Sequence, residues 1–183
     1  MVQQIDHLRF PIGYFEPSHI ITNEDRINLI NGINEITETL RNLTGNLTVE
    51  QLNTPYRLDG WTIQQIIHHL ADNDMNAYLR FKRALTEDEP MASSYHEELW
   101  AELHDYRDVP IETSLLLLES LHTRFTILLA GLDPENFKRN FNTQVLGKIS
   151  LDIALQRFIW HNNHHISQIR SLIERMGWKI DAT

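Results

Sequence analysis

From Thr22 onward the apolar residues recur at spacings of three and four, the period of an amphipathic helix. Ile27, Ile30, Ile33, Ile36, Leu40 and Leu43 predict a helix over 23–44, opened by the capping pair Thr22 and Asp25 and closed by Gly45. The linker that follows is polar, with Pro55, Asp59 and Gly60, and carries only a short turn at Val49 to Leu52. Thr62 and Gln65 form a capping box ahead of Ile63, Ile66, Ile67, Leu70, Ala77, Phe81 and Leu85, which keep helical period to Thr86. Ser94 with Glu97 suggests a shorter helix through His104. Pro110 then opens a third long helix carrying Leu115 to Leu118, Leu121, Phe125 and Leu129 before Gly131. The segment from Asn140 to Ile149, with Gly147, reads equally as a small hairpin or an irregular loop. Ser150 caps a last helix over 151–176 that Gly177 ends. Four long amphipathic helices, one short one and few strand signals predict an all-α protein built as a four-helix bundle.

Composition narrows the chemistry. The 183 residues suit one domain, with an extended arm over 1–21 and a bundle over 22–178. A formal charge of −9 argues against nucleic acid, whose phosphates are bound by clustered Lys and Arg. The apolar runs Leu115 to Leu118 and Ile127 to Leu132 fall far short of the roughly 20 residues that span a bilayer, so no membrane partner is expected. The opening MVQQIDHLRFPIGYF lacks the basic and apolar regions of a secretory signal, and a cytoplasmic location is expected. With no Cys in the chain, any transition-metal site must be assembled from His and carboxylates.

Ten His are present. His7, His19, His96, His104 and His122 read as surface residues. The others form two clusters, His68 and His69 on the second long helix and His161, His164 and His165 on the last. At about 100° per residue, His161 and His165 lie about 40° apart on the arc shared with Ala154, Leu155, Phe158, Ile169 and Leu172, whereas His164 falls about 60° outside it. Two imidazoles aimed into a core need their polar atoms satisfied, either by a metal that both ligate or by hydrogen bonds within the core. On the second helix His69 shares a polar stripe with Asn73, Asn76 and Arg80. That stripe is either a solvated face or the wall of a site in which His69 is a third ligand, with His68 as the alternative, and in which Asn76 or Arg80 orients or neutralises a substrate. Asp72, beside His69 in no more than sequence, points about 60° away from it.

At these residues the chain resembles a known family. The segments RFPIGYFEP (9–17), LNTPYRLDGWTIQQIIHHLADNDMNAYLRFKRALTEDEP (52–90) and FIWHNNHHISQI (158–169) are similar to the YfiT-like branch of the DinB superfamily, described as metal-dependent hydrolases. The resemblance implies an up-down four-helix bundle with a short extra helix and an N-terminal arm, usually dimeric. It implies one divalent metal per subunit, zinc first with nickel or manganese as alternatives, held by His69, His161 and His165. Asn162, Asn163 and Asp74 stand where relatives often carry His, and none of these positions is a ligand. The activity implied is hydrolysis of a small-molecule substrate by metal-activated water. Two alternatives are a metal-dependent thiol S-transferase that joins a low-molecular-weight thiol to an electrophile in detoxification, and a non-catalytic metal-binding bundle. Tyr56, Arg57 and Trp61, just ahead of the second long helix, are candidate pocket residues, and Asn76 and Arg80 the candidate catalytic ones. No general base is evident.

Overall fold

Side-chain caps start three of the four long helices where the sequence places them. In the computed structural model, which describes residues 6–179, α1 (Asn23–Thr44) and α3 (Ile63–Thr86) both open on reciprocal capping boxes, Thr22 with Asp25 and Thr62 with Gln65. The first five residues of the expected arm, and residues 180–183, lie outside the described part. Between these helices, α2 is the single turn Val49–Leu52. Two further short helices follow, α4 (Glu97–Trp100) and α5 (His104–Asp108), and then α6 (Ile111–Ala130) after Pro110. A 3-10 turn at Pro134–Lys138 leads into a hairpin of β1 (Asn140–Thr143) and β2 (Gly147–Ser150), paired antiparallel with Asn140 opposite Ser150. The last helix, α7 (Leu151–Met176), is capped by Ser150 and stopped by Gly177, whose φ of 63° is the left-handed conformation that glycine adopts without strain.

The all-α bundle expectation holds, and its ring order is specific. α1 packs on α6 and α7, and α3 packs on the same two, so α1 and α3 occupy opposite corners. Ile33 and Leu40 of α1, Ile66, Ile67, Leu70 and Phe81 of α3, Leu118 and Phe125 of α6, and Leu155 and Ile169 of α7 form the buried centre. Phe125 meets Phe81 and Phe158 edge-on at 4.9 and 5.2 Å, which ties α6 to its neighbour α3 and, across the core, to α7.

One expectation is corrected here. A continuous short helix from Ser94 to His104 is replaced by α4 and α5, and Ser94 caps neither. Gln65 of α3 donates to the carbonyl of Ala101, and Gln64 donates to the carbonyls of Tyr106 and Arg107. Ala101 is the C-cap of α4 and Tyr106 and Arg107 lie in the last turn of α5, so these side chains satisfy carbonyls that the short helices leave open, and they pin both turns on the flank of α3.

The N-terminal arm runs antiparallel to α7. Ser18 exchanges two hydrogen bonds with the Gln156 amide, Phe15 meets Trp160 at 5.8 Å, and Phe10 meets His164 at 5.6 Å. Among the described residues no helix is long and apolar enough to cross a membrane.

Candidate metal centre

The pairing of α3 with α7 decides which histidines meet. His69 on α3 faces His161 and His165, one turn apart on α7, with ring centroids 5.2 and 5.0 Å from His69 and 4.7 Å between the α7 pair. One nitrogen from each ring lies within 4.8 Å of the others, and Nε2 of His69 is 3.3 Å from Nε2 of His161. Ligands held tetrahedrally around zinc at roughly 2.0–2.1 Å are separated by roughly 3.3–3.4 Å, so this nitrogen pair already stands at the spacing of a coordination edge. Burial pushes the His69 imidazolium down to about 4. It holds those of His161 and His165 well below the ordinary range, with repulsion among the three rings adding to it. All three are therefore neutral near pH 7, the form that ligates. A donor set of three neutral imidazoles fits a borderline divalent ion such as zinc.

The remaining ring nitrogens show how the ligand rings are oriented. Nδ1 of His165 is 2.9 Å from Oε1 of Gln168, the geometry of an N–H donated to the amide oxygen, and this leaves Nε2 free to face the centre. The Gln168 amide nitrogen in turn donates to the carbonyl of Arg9 in the arm and lies 2.9 Å from Nε2 of His164. The Asn73 amide nitrogen stands 3.2 Å from Nδ1 of His161. By rotating, that amide can offer either its nitrogen or its oxygen. Nδ1 of His69 is buried without a hydrogen-bond partner among the described residues.

The two histidines next to the cluster point elsewhere. His68 spends both ring nitrogens on α6 and the residue that ends α5, Nδ1 at 2.8 Å from the Ser114 hydroxyl and Nε2 at 3.1 Å from the Val109 carbonyl. His164, expected off the core face, is buried nonetheless, because the arm supplies a second covering layer and Trp160 stacks on its ring at 5.0 Å. His122, read as a surface residue, is also corrected: it is 2% exposed, with Nε2 2.8 Å from Oδ2 of Asp74 and Nδ1 3.1 Å from the Thr37 hydroxyl. Asp74, which has no exposed surface, also accepts from the amides of Asn162 and Asn73. One buried polar network thus joins α1, α6, α3 and α7 directly beside His161.

Above the three rings opens a cavity of about 660 Å³. Tyr56, Arg57 and Trp61 all line it, and Trp61 lies over His69 at 4.6 Å and over His165 at 6.1 Å. Arg80 lines it too. Asn76 does not, since its amide turns back to donate to the Asp72 carbonyl. Asp72 accepts from the Tyr106 hydroxyl at 2.7 Å, on the flank of α3 where Tyr106 packs against His68. Sequence reasoning passed over Gln168 and Arg157. Their signal was a polar residue inside or at the edge of the apolar arc of α7, and that of His122 was its place in the stripe of Leu115, Leu118 and Phe125.

Comparison with known proteins gives the family. The family model of the DinB superfamily matches residues 33–169. A protein of Oceanobacillus iheyensis named a "Putative metal-dependent hydrolase" is 44% identical over 170 residues, which span 93% of this chain and 98% of that one. The Bacillus subtilis "Putative metal-dependent hydrolase YfiT" is 42% identical over 173 residues, spanning 94% and 97%. The solved structure of YfiT, described as a probable metal-dependent hydrolase with an unusual four-helix bundle topology, matches with a TM-score of 0.93 at 41% identity and covers 94% of this chain and 99% of its own. With the family model spanning most of the chain and relatives this similar along nearly its whole length, the chain belongs to the DinB superfamily.

Proposed function

We propose that the chain is a metal-dependent hydrolase of small molecules, with one divalent ion, zinc in the first instance, held by His69, His161 and His165. The observation that carries this is the convergence of three neutral imidazole nitrogens at the floor of a cavity wide enough for a small substrate. A divalent ion there would supply Lewis acidity, the property that makes water or a thiol nucleophilic near neutral pH. The protein supplies the rest. Gln168 and Asn73 set the ring orientations of His165 and His161, and Trp61 shields one side of the cluster from solvent. Phe81, Phe141 and Phe158 give the cavity an apolar wall against which an uncharged part of the substrate can pack.

A second reading is favoured by one particular: neither Asp72 nor Asp74 faces the cavity, since the first is bonded to Tyr106 and the second to His122 and Asn162, and Asp59, Glu97 and Glu98, which do line it, are not in the cluster that the three histidines form. A thiol, with a pKa near about 8.5, needs less help than water in losing its proton, so thiol transfer to an electrophile asks less of this site. The deciding experiment is a panel of esters, amides, and thiols paired with an electrophile, assayed with zinc, nickel and manganese on the wild type and on His161→Ala. Ester or amide turnover that needs metal and vanishes in His161→Ala is the expected result. Turnover confined to the thiol pairs would replace hydrolysis by thiol transfer, and none at all with one metal bound per chain would make the protein a metal-binding bundle.

A further inference from the structure

Two arginines line the cavity without an ion pair among the described residues. Arg80 follows His69 by eleven residues on the same face of α3, and Arg157 precedes His161 by four on α7. Because Asn73 stands level with His161 and the two helices run in opposite directions, both arginines lie on one side of the histidines. At about 1.5 Å per residue, Arg157 is roughly 6 Å and Arg80 roughly 10 Å beyond the level of His161 along the bundle.

Both line the cavity, and neither has a carboxylate within ion-pair distance among the described residues. Arg80 gives one hydrogen bond, to the carbonyl of Ser93, and its Nε is buried with no partner. Arg157 lies beside the Phe15 ring of the arm at 5.7 Å. Burial lowers the pKa of both, and the charge of Arg80 lowers that of Arg157 further, so two cations share a poorly solvated space. The rest of the cavity does not neutralise them. Arg9 and Arg57 add positive charge, against Asp59, Glu97 and Glu98, in a protein whose net charge is −9. Desolvated cations held together without a counter-ion are costly, and a ligand anion relieves that cost.

We propose that Arg80 and Arg157 form an anion subsite, so that the molecule served by the three-histidine centre carries a carboxylate or phosphate group roughly 6 to 10 Å from the end that reaches the histidines. This rests on the reading of the histidines as the reaction centre, while anion binding itself does not. The substrate is then an elongated anion with an apolar middle, since Ala77 and Phe158 line the cavity between the level of the histidines and that of Arg80.

The test is calorimetric titration of metal-free and zinc-loaded protein with succinate, inorganic phosphate and uncharged dimethyl succinate. Succinate or phosphate is expected to bind the metal-free wild type, and the ratio of the two affinities identifies the carboxylate or the phosphate as the group recognised. Dimethyl succinate is expected not to bind. The Arg80→Met/Arg157→Met pair is expected to weaken the anion by about tenfold or more, with zinc affinity unchanged. In the unmutated protein, phenylglyoxal modification mapped by mass spectrometry should be slowed by the anion at Arg80 and Arg157 and not at the exposed Arg124, which gives a readout independent of variant folding. Failure of both anions to bind, undiminished binding by the double variant, or equal modification rates with and without anion would each overturn the subsite. Zinc that fails to bind while the anion does would sink the three-histidine reading and leave the subsite standing.

Discussion

Removing the Asp74 carboxylate tests whether the buried polar network beside His161 holds the bundle together. In Asp74→Ala, Nε2 of His122 loses an acceptor at 2.8 Å and Nδ2 of Asn162 loses one at 3.1 Å, in a place with no exposed surface to admit water. Each buried group left unsatisfied costs about 1–3 kcal/mol, and breaking a buried pair from one side costs about 3–5 kcal/mol, so a loss near 4 kcal/mol is expected. For a chain of this size that corresponds to a fall of roughly 8–16 °C in Tm. Urea unfolding and calorimetry, both in chelator so that metal does not mask the change, give the value. The double variant Asp74→Leu/His122→Phe should recover most of it, because Asn162 keeps its bond to the Phe158 carbonyl and no unpaired His remains. A coupling of about 2 kcal/mol between the two positions is expected from the cycle made of this double variant and the single variants Asp74→Leu and His122→Phe. A cost below about 1 kcal/mol for Asp74→Ala, or simple addition of the two single effects in the double variant, would refute the network as a structural element.

Three further outcomes follow from the same geometry, and a fourth from the resemblance to usually dimeric proteins. His69→Ala, His161→Ala and His165→Ala should each lose the metal, whereas His68→Ala and His164→Ala should keep one per chain by elemental analysis; the reverse for either pair refutes the ligand set. Chelation should lower the Tm, since metal at a thousandfold excess over its Kd stabilises the folded form by about 4 kcal/mol, and equal melting with and without chelator would count against any folded-state site. Metal-free protein should lose stability as pH falls from about 6.5 toward 4: the folded His69 and His164 hold pKa values of about 4, so the unfolded chain binds more protons in that window, at about 2 kcal/mol by pH 5 for a single such group. A flat Tm between pH 7.5 and 4.5 would contradict their burial as neutral rings. Sedimentation equilibrium is expected to give a homodimer, twice the 21.5 kDa of the chain, and the monomer mass alone at micromolar concentration would exclude it.

How much of this was legible beforehand depends on the range of the forces involved. Helix limits are set by residues three or four apart, and so Thr22, Thr62, Ser150 and Gly177 announced them correctly. The facing of His161 and His165 also follows from one helix alone, because both share an arc with Phe158 and Ile169. The hairpin at Asn140–Ser150 stayed ambiguous, since a two-stranded ribbon this short is held by docking: Arg139 reaches the carbonyls of Ala84 and Glu87, and Asn142 that of Glu89. Contacts between elements distant in sequence were decided only by the assembled bundle. His69 rather than His68 meets the α7 pair because α3 packs with that face toward α7, and the opposite ring is taken by Ser114 and Val109. His164 and His122 became buried because the arm and α1 close over them, layers that a helical wheel does not contain. Sequence periodicity records which face of a helix avoids water, and so it determined the bundle and two of the three histidines. Which polar groups then share the dry interior is a property of how the faces meet, and only the tertiary structure decided that.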